Sequence, residues 1–259
     1  MRASLWSQAL TMRGLILLAV TLPAAILVMN TLPMVHYILY ALGILCHETG
    51  HTVVALLTGH LAIPSFDLQN GGGFTHILGR SWWLTLLVFV LIADLARRYR
   101  DQPPVPLLCA VGGAILLLLI LTGWDEPLGL EMGHGGQLVA GGIFLYRGLT
   151  GVAEVYPGER WLYGFVGWSL ILDVVSLCWR LTHDQATLNT YLLGHGNVDN
   201  DFVRLACDHL NTSLATVVWA NFGACLLVPV VVVGVRLLLV HHSLVRDAAS
   251  GQTAPHPRG

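Results

Sequence analysis

The pentapeptide His47-Glu48-Thr49-Gly50-His51 has the residue types and the spacing for metal chemistry. On an α-helix successive residues turn by about 100°, so histidines four apart stand on one face. Both imidazoles can then reach one Zn²⁺ at about 2.0–2.1 Å. Glu48 lies on the flank of that face, placed to reach the metal's bound water without being a ligand. Zinc lowers the pKa of such a water toward about 7, and a neighbouring glutamate can take its proton. H-E-x-x-H is a recognised signature of zinc hydrolases. The alternative is a polar cluster that hydrogen-bonds neighbouring helices. Against it, two histidines and a glutamate inside an apolar helix are costly unless paired or metal-bound.

A catalytic zinc usually has three protein ligands and a water. Asp173, deep in the apolar run Trp168–Ser176, is the expected third ligand, because an aspartate in mid-membrane needs a partner. A helix–helix hydrogen bond is its alternative role. Weaker candidates are His134, in the glycine-rich stretch Glu131–Gly136 read as a loop, and His60 and His76, which flank another glycine-rich segment. Asp201 reads first as a helix cap within Asp199-Asn200-Asp201, with a role in the site as the alternative. Asp94 precedes Arg97 and Arg98 by three and four residues and reads as an ion-pair partner. His241 and His242 read as interfacial.

The elements that must position these residues are apolar. Of 259 residues, 55% are hydrophobic and 11% charged, against about 25% charged in soluble domains. That excludes an ordinary soluble globule and a disordered chain. All 13 basic residues are arginine, and with 15 acidic ones the net charge is −2, so no basic surface points to nucleic acid. The five cysteines have no C-x-x-C spacing and read as small buried hydrophobes.

A membrane-spanning helix needs roughly 20 apolar residues. Runs near that length fall at about 14–29, 34–58, 82–96, 105–123, 137–152, 161–181 and 213–240. The expected fold is an all-α polytopic membrane protein with about six to seven transmembrane helices and a short glycine-rich β-like segment near the site. One domain over 1–242 and a disordered tail over 243–259 are expected. The first run reads as a retained helix rather than a cleaved signal. With seven spans, Arg97, Arg98 and Arg100 share a side with Arg236 and Arg246, which the positive-inside rule makes cytoplasmic. Lysine-free, alanine- and leucine-rich usage points to a GC-rich bacterial genome, and so to a multi-pass protein of a bacterial plasma membrane. Two polar connections interrupt the runs. In 59–81, a glycine triplet before Phe74-Thr75-His76 predicts a turn and a short exposed strand. In 182–212, a helix is expected over Phe202–Leu210.

Together these residues resemble the site-2 protease superfamily of intramembrane zinc metallopeptidases, and its peptidase B-type branch more closely. His47–His51, then Ala55-Leu56-Leu57-Thr58-Gly59 and Asn70-Gly71-Gly72-Gly73-Phe74-Thr75, look like that branch's H-E-x-G-H, A-L-x-T-G and glycine-rich pattern. Leu172-Asp173-Val174-Val175-Ser176 looks like its aspartate motif, although glycine follows the aspartate in better-studied members. Asn200–Ala206 loosely echoes its Ser-Asp-Ala stretch. The resemblance implies zinc held by His47, His51 and Asp173, with Glu48 as catalytic acid/base. It implies that Gly71, Gly72, Gly73, Phe74 and Thr75 form an edge that pairs with an unwound substrate. The expected function is a zinc-dependent intramembrane endopeptidase acting on transmembrane segments of membrane proteins within the lipid bilayer. No PDZ-like or CBS-like domain fits in the length, so control would come from the core or a regulatory partner protein. The alternative is a non-proteolytic zinc-binding scaffold. A transporter reading lacks an internal repeat, and a di-iron lipid enzyme would need further histidine boxes.

Overall fold

The computed structural model describes residues 2–67, 72–156, 158–194 and 200–249. The chain is predominantly helical. Its order is α1 (Arg2–Thr31), α2 (Pro33–Leu57), β1 (His60–Asp67), β2 (Gly72–Arg80), α3 (Trp82–Arg98), α4 (Pro104–Thr122), α5 (Asp125–Thr150) and α6 (Glu159–His183). It continues through α7 (Gln185–Leu192), α8 (Asp201–Arg204), a π-helical turn (Leu205–His209) and α9 (Leu214–Ala249). Local chemistry sets several ends. Pro33 opens α2, where its missing N–H costs nothing. Gly123 closes α4 in the left-handed region, its N–H donating to the Leu119 carbonyl. The Asp184 carboxylate caps α7 by accepting from the Ala186 N–H at 3.0 Å.

Among the described residues, four helical stretches are long and apolar enough to cross a membrane: Met12–Thr31, Pro104–Thr122, Glu159–His183 and Leu214–His242. This marks the chain as a membrane protein. Their flanks carry bare apolar side chains such as Leu118 and Leu121 on α4 and Leu227 and Val230 on α9, as suits helices facing lipid. The sequence suggested six or seven spans. The other three runs do form helices, but α3 has 17 residues, and α2 and α5 carry polar side chains along their length. Helix α9 continues to Ala249, past the point where a tail was expected, and residues 250–259 lie outside the described residues.

The chain forms two compact units. The first takes Met1–Tyr40, Leu138–Leu177 and Asn221–Gly259. It holds together through small residues that let backbones approach. A Cβ on Gly148 would lie 3.0 Å from the Gly164 nitrogen, and one on Gly167 would lie 2.8 Å from the Leu145 nitrogen. Trp168 donates its indole N–H to the Leu18 carbonyl at 2.9 Å.

The second unit takes Ala41–Gln137 and Cys178–Ala220. It contains the expected short strand, paired as an antiparallel hairpin with β1, with Ile63 opposite His76 and Ser65 opposite Phe74. Gly59 turns the chain from α2 into β1 at φ 88°, and its carbonyl accepts from the Ser81 N–H at 2.7 Å. The hairpin base is fastened to the start of α5. Arg80 pairs with the buried Asp125, which His60 Nε2 also approaches at 3.4 Å.

Candidate metal centre

His47, Glu48, His51, His134 and Asp201 all belong to the second unit. His47 and His51 sit one turn apart on α2, and their Nε2 atoms lie 3.1 Å from each other. Asp201, the first residue of α8, brings Oδ2 to 2.9 Å from His47 Nε2 and 3.1 Å from His51 Nε2. Among the described residues, these three side chains form the group whose donor atoms converge closely enough to hold a metal ion.

The group that converges contains Asp201, where the sequence pointed first to Asp173. Asp173 lies on α6 in the first unit and is not a member of the group. Asp201 is also not the cap expected from its sequence. Asn200 occupies the cap position, and the Asp201 carboxylate is turned to the histidines. Burial pushes the Asp201 carboxyl pKa up, but hydrogen bonds from His47 and His51 when their rings carry a proton on Nε2 outweigh it and hold the group below the usual carboxylate range.

Three features fit a metal. First, tetrahedral zinc with bonds of about 2.0–2.1 Å places ligand atoms about 3.3 Å apart, close to the spacings found. Second, His51 is oriented from behind: its Nδ1–H donates to the Gly129 carbonyl at 2.7 Å. That leaves a lone pair on Nε2 of the neutral ring, facing the Asp201 oxygen. A cation between them turns a repulsion into coordination, and such a backbone tether is the usual support of a ligating histidine. Third, a space is kept open. A Cβ on Gly133 of α5 would lie 2.5 Å from His51 Nε2 and 2.6 Å from His47 Nε2. Two histidines and a carboxylate suit zinc and other borderline divalent metals.

Helix α5 reaches this place because its glycines meet those of α2. A Cβ on Gly136 would lie 2.6 Å from the Gly50 Cα, and one on Gly50 would run into the Met132 carbonyl. The stretch Glu131–Gly136, expected as a loop, is helix in mid-α5. Glycine costs roughly 1 kcal/mol per residue in a helix, and close helix approach offsets that here.

Glu48 is 3% exposed. The Thr75 hydroxyl on β2 donates to its Oε2 at 2.7 Å and to its carbonyl at 3.2 Å. Two residues back on the same strand face, a Cβ on Gly73 would lie 2.6 Å from Glu48 Oε1. The expected substrate strand thus divides. Gly73 and Thr75 face Glu48, while Phe74 stands exposed with its ring edge-on to His76 at 4.6 Å. Gly72 has open space where a side chain would be, and Gly71 lies outside the described residues.

The segment that delivers Asp201 is anchored. Phe202 is buried, Asn200 donates to the Tyr191 carbonyl at 2.6 Å, and Arg204 Nη2 lies 3.6 Å from Glu126. The π-helical turn after it is a rare element often found at functional sites. His134 also reaches the centre, its ring 4.5 Å from that of His47. Asp94 binds Arg97 and Arg98 as its spacing suggested. Two residues were underweighted by sequence: Asp201, whose signal was the loose Ser-Asp-Ala echo, and Gly133, which had none. Compared with known proteins, the chain significantly matches no family model, no curated protein and no solved structure.

Proposed function

We propose that the protein is a zinc-dependent endopeptidase that cleaves transmembrane segments of other membrane proteins. The observation that carries this reading is the convergence of His47, His51 and Asp201 beside a buried glutamate that is not a ligand. A structural zinc site is closed by four protein ligands and needs no such glutamate. Bound there, zinc would polarise water and the scissile carbonyl as a Lewis acid. Glu48 takes a proton from the attacking water and returns it to the leaving amide nitrogen as the C–N bond breaks. Thr75 holds one carboxylate oxygen, which fixes the direction in which Glu48 acts.

The substrate class follows from place and shape. Four apolar helices mark the chain as a membrane protein, and in this reading the partly polar α2 and α5 also take part in the membrane domain. Strand β2 pairs only with β1 among the described residues, so its other edge offers backbone groups to an extended substrate. The test is cleavage of a membrane-protein segment by the purified chain, wild type beside Glu48→Gln. Cleavage that persists in the Gln variant with zinc retained would sink the reading.

A further inference from the structure

His134 is a buried polar group of this unit that the mechanism above leaves unused. It is 8% exposed, and its Nδ1 is buried without a hydrogen-bond partner among the described residues. Buried polar groups normally find a partner, and an exception calls for an explanation. The ring stands edge-on to His47, with centroids 4.5 Å apart and planes at 76°. Phe202, the neighbour of Asp201, covers it at 4.4 Å. The preceding residue is Gly133, whose missing side chain leaves the space beside both histidine nitrogens. Yet His134 is not a member of the donor group itself. The ring thus lies beside the candidate metal group without belonging to it.

We infer that His134 is a catalytic residue whose Nδ1–H donates a hydrogen bond to the substrate oxygen on which negative charge develops. The inference rests on the hydrolase reading. As the water oxygen bonds to the carbonyl carbon, Glu48 holds the water's proton and the carbonyl π pair moves onto oxygen. That oxygen is the acceptor for His134. When the pair returns, the C–N bond breaks and the proton goes to nitrogen. A donor fixed in a dry site before charge appears is worth far more than one in water. The neutral imidazole suffices, so no change in protonation is needed.

The test uses the full chain in detergent, loaded with zinc, and a phosphinic peptide built on Leu-Leu, whose tetrahedral phosphorus group imitates the charged adduct. Zinc content is measured by elemental mass spectrometry and peptide affinity by calorimetry. His134→Phe keeps the ring and removes the donor. It is expected to retain one zinc per chain and to weaken peptide binding by about 100-fold. His134→Asn places an amide N–H near the lost Nδ1 and is expected to restore much of the affinity. Unchanged affinity in His134→Phe overturns the inference and leaves the hydrolase reading standing. Loss of zinc in both variants also overturns it, since His134 would then support the metal. If His134→Phe does not fold, His134→Leu replaces it. Wild-type protein that holds zinc but does not bind the peptide overturns the hydrolase reading, and the inference with it.

Discussion

The Thr75 hydroxyl donates a 2.7 Å hydrogen bond to Glu48 Oε2, joining strand β2 to helix α2 at the residue assigned as base. The strand therefore aligns the carboxylate as well as lying beside it. Hydrogen bonds to charged groups contribute about 1.5–3 kcal/mol. Thr75→Val should lower kcat by roughly 10- to 100-fold, and Thr75→Ser, which keeps the hydroxyl, should stay near wild type. Kinetics of both variants on one cleavable substrate decide the point. Equal losses in Val and Ser would show that the methyl packing matters and the hydrogen bond does not.

Gly133 makes a sharper prediction about the metal. A methyl group there would stand 2.5–2.6 Å from both histidine Nε2 atoms, in the space an ion bonded to them needs. Gly133→Ala should lose zinc, with affinity reduced by 100-fold or more, while the helical circular dichroism is kept. Gly129 supplies the control. A Cβ there meets nothing within 4 Å, and alanine retains the carbonyl that accepts from His51. Gly129→Ala should keep zinc and gain about 0.5–1 kcal/mol of stability from alanine's higher helix propensity. Zinc binding by Gly133→Ala at wild-type strength would contradict the placement of the ion.

The two aspartates separate under the same measurement. Asp201→Ala removes a donor that touches both histidines and should abolish stoichiometric zinc. Asp173→Ala should retain about one zinc per chain. The reverse pattern would return the third position to α6.

That contrast shows where the sequence was legible. Histidine spacing on a helix is local, so the His47/His51 pair could be read directly, as could the strand that follows the glycine triplet. The carboxylate that converges with them could not be ranked in the same way. Asp173 stood out because it lies deep in an apolar run, which is a one-dimensional criterion. Asp201 lies 154 residues from His47 in a polar stretch, where an aspartate before an apolar residue reads as a cap. Only the anchoring of that stretch by Tyr191, Phe202 and Arg204 turns its carboxylate inward. The glycines of α5 misled for a related reason. Their low helix propensity suggested a loop, but packing against α2 overrides propensity. Four helices among the described residues meet the length and hydropathy of a span, and α2 and α5 fall short of that measure because they carry polar residues along their length.

The remaining prediction concerns the base of the hairpin that carries Thr75. Asp125 is buried at the first residue of α5 and pairs with Arg80 at the end of β2, with His60 at 3.4 Å. Removing one partner of a buried ion pair strands the other, which costs about 3 kcal/mol at the low end of the usual range. Arg80 keeps 28% of its side chain accessible, so the low end applies. Asp125→Ala should therefore lower the thermal midpoint in detergent and loosen the hairpin. Limited proteolysis of the hairpin strands should speed up before global unfolding begins, because only the fastening at Gly59 and Ser81 and the Thr75–Glu48 bond remain to hold them. The zinc ligands are not touched, so zinc should stay bound at room temperature while kcat falls as Thr75 loses its register over Glu48. Asp125→Asn, which keeps an acceptor for Arg80, should lie between wild type and alanine. An alanine variant with wild-type proteolysis and wild-type kcat would show that the hairpin is held by its helix contacts alone.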